Sequence, residues 1–149
     1  MVAAEPELDV VAAGVRGALS RLGRRLRAED DGHGVGATGL SVLGRLHRDG
    51  ASTASVLAQQ EHMQPQSLTR TLQAMEARGL IVRTVDTADR RRATIAITTD
   101  GIAVLRASVR AREEWLGRAM IATLSLTEVA LLQLSLGLLE RLAEAEVQP

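Results

Sequence analysis

Apolar positions recur at spacings of three and four along most of this chain. Leu8, Val11, Val15, Leu19, Leu22 and Leu26 make one stripe, with Arg16, Arg21, Arg24, Arg25 and Arg27 beside or opposite it. That period predicts an amphipathic helix. A run rich in turn formers follows, from Glu29 to Gly36. A second, short helix is expected from about Thr38 to Arg48, with Leu40, Leu43 and Leu46 inward. His47 and Arg48 fall at its C-terminal end, where cations are favoured, and Gly50 acts as a stop. Ser52-Thr53 offers an N-cap to a short helix carrying Val56 and Leu57. After the turn Glu61-His62-Met63-Gln64, Pro65 suits the first position of the next helix because it has no N–H to lose there. That helix should run to Arg78 and stop at Gly79, with Leu68, Leu72 and Met75 inward. Gln66, Ser67, Arg70 and Gln73 lie on its opposite face, with Thr69 at the edge.

The period then changes. Leu80 to Val85 is β-prone, Asp86 to Arg92 is a polar turn, and Ala93 to Thr98 alternates with period two. Two short strands around a charged turn make a hairpin, the only β structure the pattern predicts. From Thr99 the helical period returns in a long helix marked by Ile102, Leu105, Val109, Trp115, Leu116 and Met120. Ser125 and Glu128 have capping-box spacing and open a last helix, leucine-rich from Val129 to Leu142. That helix is apolar around most of its girth, whereas the surface helix of a monomer shows only a stripe. It is therefore expected to be central or at a subunit interface. The fold class is mainly α with one β-hairpin wing. Short helix, turn, helix and hairpin make a winged helix-turn-helix.

Composition narrows the chemistry. At 149 residues the chain suits a single domain. One Trp and no Phe or Tyr mean an aliphatic core, and they argue against an aromatic platform for RNA or single strands. The absence of Cys excludes disulfides, thiolate metal sites, iron–sulfur ligation and thiol redox sensing. No apolar run reaches membrane-span length, and the acidic start lacks the basic region of a signal peptide, so the expected location is the cytoplasm, with no membrane partner.

All 18 basic residues are Arg, and they balance 18 acids. The balance is uneven along the chain. Residues 64–92 hold six Arg against three acids, and residues 113–149 hold six acids against two Arg. An anionic partner should therefore meet the middle of the chain.

No catalytic constellation emerges. The three His are scattered, and adjacent acids such as Glu113 and Glu114 diverge by about 100° on a helix. His33 with Asp30 and Asp31 sits in one Gly-rich loop, which does not make converging metal ligands. No metal, cofactor or enzymatic activity is expected.

Duplex DNA suits the middle of the chain. The second helix of the pair fits the major groove, where Gln66, Ser67, Thr69, Arg70 and Gln73 could read base edges, with Gln64 just ahead of them. Arg90, Arg91 and Arg92 crowd the hairpin tip, a costly self-repulsion unless an anion lies nearby. A narrow minor groove supplies one. Arg78 and Arg83 are either phosphate neighbours or surface charges. His62, in the turn, either touches a phosphate or is a plain surface residue. The alternative function is a winged-helix protein-interaction module that does not bind an operator. Zero net charge favours it and the three-Arg wing opposes it.

From Ser52 to Gly101 the residues resemble the MarR family of bacterial transcription regulators. The matching stretches are Val56-Leu57-Ala58, then Ser67-Leu68-Thr69-Arg70-Thr71-Leu72, and Met75-Glu76-Ala77-Arg78-Gly79-Leu80-Ile81. The most specific are Asp86-x-x-Asp89-Arg90-Arg91 followed by Ile97-Thr98-x-x-Gly101. Pro65 and Gln66 depart from the more usual small polar residues at the start of the recognition helix.

The resemblance implies one unit in which residues 1–37 and 100–149 are dimerisation helices and 38–99 form the DNA-binding lobe. It implies a homodimer on a palindromic operator of double-stranded DNA. It also implies repression relieved by a small apolar or aromatic-acid effector. Arg70 matches the family's recognition-helix arginine, and Arg90 the arginine that enters the minor groove. Asp89 and Arg91 match the salt bridge that shapes the wing. Trp115, on the long helix, is a candidate for lining an effector pocket.

Overall fold

The structure, a computed structural model, describes residues 5–29, 34–85 and 93–146. In chain order they form α1 (Glu5–Ala28), α2 (Gly36–Asp49), β1 (Ser52–Thr53), α3 (Ala54–Gln60), α4 (Pro65–Ala77), β2 (Ile81–Val85), β3 (Ala93–Ile97), α5 (Thr99–Thr123) and α6 (Leu126–Glu144). The chain is mostly helical, with one small antiparallel sheet. Contacts divide it into two compact units, Met1–Arg112 and Glu113–Pro149.

In the first unit, α2, α3, α4 and the sheet close around an aliphatic core. Leu43 of α2, Leu57 of α3, Leu68 and Leu72 of α4, and Ile95 of β3 are fully buried. The inward stripes expected for α2 and α4 are the ones buried. Full burial of such a side chain contributes about 1.5–3 kcal/mol, so these five positions carry much of the lobe's stability. Along α1 the stripe finds no such cover, and Leu8, Val11, Leu19 and Leu22 stay exposed.

The sheet has three strands where the alternation predicted two. Its order is β1-β3-β2, and Ser52 and Thr53 pair with Ile95 and Thr94. A two-residue strand is too short to leave a periodic signal, so only its cap was legible. Thr53 is extended, pairs with β3, and accepts the Val56 N–H through its side chain to start α3. β2 and β3 pair from Ile81↔Ile97 to Val85↔Ala93.

α4 begins on Pro65 and ends in a left-handed turn at Gly79, φ 70°. The Leu80 N–H bonds the Met75 carbonyl at 3.0 Å and the Gly79 N–H bonds that of Glu76 at 2.9 Å. This is the Schellman closure, with Leu80 buried close to Met75.

Thr98 then locks the helix end to α5. Its hydroxyl donates to the Gly79 carbonyl at 2.6 Å and accepts the Gly101 N–H at 3.1 Å, capping α5. The Thr-x-x-Gly stretch is thus a cap tied to the end of α4.

The second unit contains the end of α5 and all of α6. The Ser125–Glu128 capping box is formed on both sides, and it starts α6 as the spacing predicts. No residue of α6 is buried, and Leu126, Leu134 and Leu142 are 90%, 78% and 65% exposed.

Candidate nucleic-acid interface

The candidate reading surface is built on α4. Burial of Leu68, Leu72 and Met75 fixes the helix's rotation, and at 100° per residue this turns Gln66, Arg70 and Gln73 to solvent, where all three are exposed. Ser67 and Thr69 flank them, and Gln64 precedes the first turn, all exposed as well. Thr69 is partly committed. Its hydroxyl donates to the Pro65 carbonyl at 2.8 Å, so it is left as an acceptor for an incoming donor. Gln64 makes no side-chain cap bond, so its amide is not spent on the helix end.

The turn ahead of α4 is held by backbone bonds from Glu61 to Leu57, His62 to Gln59 and Met63 to Ala58, at 2.9–3.1 Å. His62 takes φ 51°, the one positive value at a non-glycine among the described residues, and its side chain is exposed.

A polar link that no local pattern predicts joins this turn to α2. Arg45 donates from Nε to Glu61 Oε1 at 2.5 Å and from Nη2 to the Gln60 carbonyl at 3.0 Å. Ser41 Oγ donates to the same carboxylate oxygen at 2.9 Å. The Glu61 side chain is only 11% exposed. A carboxylate so far removed from water needs those charge-assisted bonds.

Arg83 on β2 lies 3.6 Å from Glu76 at the end of α4. It therefore braces strand against helix, which makes it a poorer phosphate contact than its charge alone suggested. Arg78 and Arg70 border one cleft of about 290 Å³ beside α4, with Gly34, Thr71 and Ala74. The wing residues Asp89, Arg90, Arg91 and Arg92 lie outside the described residues, as does His33. The Val85↔Ala93 pair places seven positions between the strands.

A second cleft, of about 390 Å³, opens between α1, α2 and α5 within the first unit. Arg27, Arg45, Arg48 and Arg112 line it together with Leu40, Leu105 and Val109, and among the described residues no acidic one does. Sequence reasoning missed this cluster because its members come from three helices. Arg48 carries a local signal, but that of a helix-end cation. Trp115 is part-buried on α5, in the second unit, and engages in an interaction of its own. No group of three or more His, Asp or Glu that could hold a metal occurs among the described residues. No described helix is long and apolar enough to cross a membrane.

The family model for the MarR family matches residues 37–93. The chain is 33% identical over 111 residues to an HTH-type transcriptional regulator of Mycobacterium bovis, Mb0904, spanning 74% of this chain and 77% of that protein. The chain belongs to the MarR family.

Solved structures agree. A protein described as a transcriptional regulator from Pseudomonas aeruginosa PA01 superposes with TM-score 0.83 at 38% identity, covering 96% of this chain and 99% of that one. A mutant of S. aureus MepR, solved bound to an oligodeoxyribonucleotide, matches with TM-score 0.64 over 91% of this chain and 98% of that one. At 22% identity that likeness shows the fold alone. This MarR protein is a DNA-binding, winged helix-turn-helix transcriptional regulator.

Proposed function

We propose that the protein is a homodimeric repressor of a palindromic operator, released by a small organic anion. The observation that carries the reading is the exposed face of α4, where Gln66, Arg70 and Gln73 stand opposite the buried Leu68, Leu72 and Met75. Arg70 pairs with guanine O6 and N7, and the two glutamines suit adenine N6 and N7. The family resemblance assigns Arg90 to the adjacent minor groove and Asp89 with Arg91 to the salt bridge that shapes the wing, and the charge of Arg92 suits phosphate contact. The oligonucleotide bound by the S. aureus relative supports this use of the fold.

What is left uncovered supports the dimer. α1 and α6 expose leucines at many turns, and α6 buries none. Exposed apolar surface of this extent on either helix marks an interface. Two copies would hold their recognition helices about 34–36 Å apart, one helical turn of DNA. The arginine-lined cleft between α1, α2 and α5 is the proposed effector site, where guanidinium groups meet a carboxylate and Leu40, Leu105 and Val109 meet its apolar body.

Fluorescence anisotropy with duplex from the gene's own upstream region tests the core of this reading. A preference over scrambled duplex of about 10³-fold or more is expected, with a steep salt dependence. Equal, weak binding to both duplexes would leave either an operator elsewhere, which selection from random duplexes would find, or the interaction-module alternative.

A further inference from the structure

The effector cleft and the turn before the recognition helix share one side chain. Arg45 is part of the cleft wall beside Arg27, Arg48 and Arg112. The same Arg45 holds Glu61 at 2.5 Å and the Gln60 carbonyl at 3.0 Å. Glu61 closes α3 and opens the turn, and its N–H still bonds Leu57 in the helix. The two roles of Arg45 compete for one guanidinium.

We propose that Arg45 is a positioning residue that a bound carboxylate captures from Glu61, loosening the turn that sets α4. The inference rests on the reading of the cleft as the effector site. A carboxylate entering the cleft meets walls to which four arginines contribute and, among the described residues, no acid does. Arg45 is bonded to the turn, and its side chain is 29% exposed, so it has room to turn toward the newcomer.

When it does, Glu61 keeps the Ser41 hydroxyl and loses its charged partner. A carboxylate at 11% exposure is costly to leave in that state. The cheaper arrangement moves Glu61 toward water and carries His62 and Met63 with it. Pro65 begins α4 two residues later, so a shift in the turn becomes a shift in the start of the recognition helix. The device transmits binding through a two-state ion pair, which is the physical element that coupling requires. By reciprocity, DNA must weaken the anion's binding by the same factor that the anion weakens DNA, and whatever frees Arg45 from Glu61 should favour the anion and disfavour DNA.

Benzoate is the probe, with benzamide as its neutral counterpart. Calorimetry on the whole protein measures benzoate affinity for the natural chain, for Arg48→Gln and for Glu61→Gln. Arg48→Gln should weaken binding and so place benzoate in the cleft. Glu61→Gln should bind benzoate tighter by a factor within about 5–150, and should hold operator DNA as weakly as the benzoate-saturated natural protein does.

Hydrogen exchange on the natural chain gives a readout that needs no variant. Benzoate, and not benzamide, should speed exchange at the amides of residues 61–63. If benzoate weakens DNA binding but Glu61→Gln leaves its affinity unchanged and those amides stay as protected as before, the cleft reading stands and the Arg45 relay is overturned. If benzoate binds neither the natural chain nor Glu61→Gln, the cleft reading fails and the relay goes with it. Should Glu61→Gln not fold by circular dichroism, the exchange result decides.

Discussion

Gly101 lies so close to Leu80 that a β-carbon on it would stand 2.1 Å from the Leu80 carbonyl oxygen. The neighbour is backbone, held by the Thr98 N–H at 3.1 Å, so it has little freedom to move aside. Alanine is favoured over glycine inside a helix by about 1 kcal/mol. Overpacking costs about 1–3 kcal/mol, and an approach this short belongs at the upper end. Gly101→Ala should therefore lower stability by about 2 kcal/mol net. Urea unfolding checks this through the midpoint, and an unchanged or higher midpoint contradicts the close approach.

Arg70 and Arg83 carry the same charge and should behave differently on DNA. Arg70 is exposed on α4, whereas Arg83 is paired with Glu76. Arg70→Ala should cost about 1–3 kcal/mol on operator duplex, with a smaller loss on scrambled duplex. Arg83→Ala should stay within about 0.5 kcal/mol on either. Equal losses for the two variants would mean that the middle of the chain acts only as a diffuse positive patch.

Leu134 is 78% exposed on a helix with no buried residue. A glutamate there leaves the single chain's core untouched but places a charge in the proposed interface. Sedimentation velocity should show a dimer for the natural chain and a monomer of ordinary helix content for Leu134→Glu. A natural chain that sediments as a monomer removes the dimer and the spaced pair of recognition helices with it.

Glu128 accepts the Ser125 N–H at 2.8 Å and the Ser125 hydroxyl at 2.7 Å. The backbone bond first, and the side-chain bond second, hold its carboxyl below the usual range. A carboxyl depressed by folding stabilises above its unfolded pKa, and that support is lost as pH falls through the depressed value. The start of α6 should thus hold at neutral pH and loosen only in acid. Carbon-detected NMR titration should find the Glu128 carboxyl below a free glutamate, and Ser125→Ala should return it toward the ordinary value. A Glu128 titrating like a free glutamate in the natural chain would contradict the box.

The parts of the molecule that were legible in sequence are those whose cause is local. Pro65, the stripe Leu68-Leu72-Met75 and Gly79 define α4 within fifteen positions, and the structure places that helix accordingly. Ser125 and Glu128 likewise reveal a helix start across three residues. Thr98 and Gly101 were visible as a motif, but their reason was not, because the partners Gly79 and Leu80 lie some twenty positions earlier. Arg45 and Glu61 are sixteen apart on different elements, and neither breaks any local pattern. The exposed face of α4 could be named residue by residue. The arginine cleft could not, since it exists only once α1, α2 and α5 have packed.

The pairing of Ser52 with Ile95 has a consequence for how the protein is made. Contacts so distant in sequence form late in folding. During synthesis, α2, α3 and α4 are translated before the strand that joins β1 to β2 exists. The sheet cannot close until β3 has emerged, and the end of α4 cannot be pinned until Thr98 follows it. A ribosome stalled ahead of Ile95 would hold a nascent chain with the recognition helix α4 already translated but the lobe unsealed, Leu43 and Leu57 lacking the strand that completes their core.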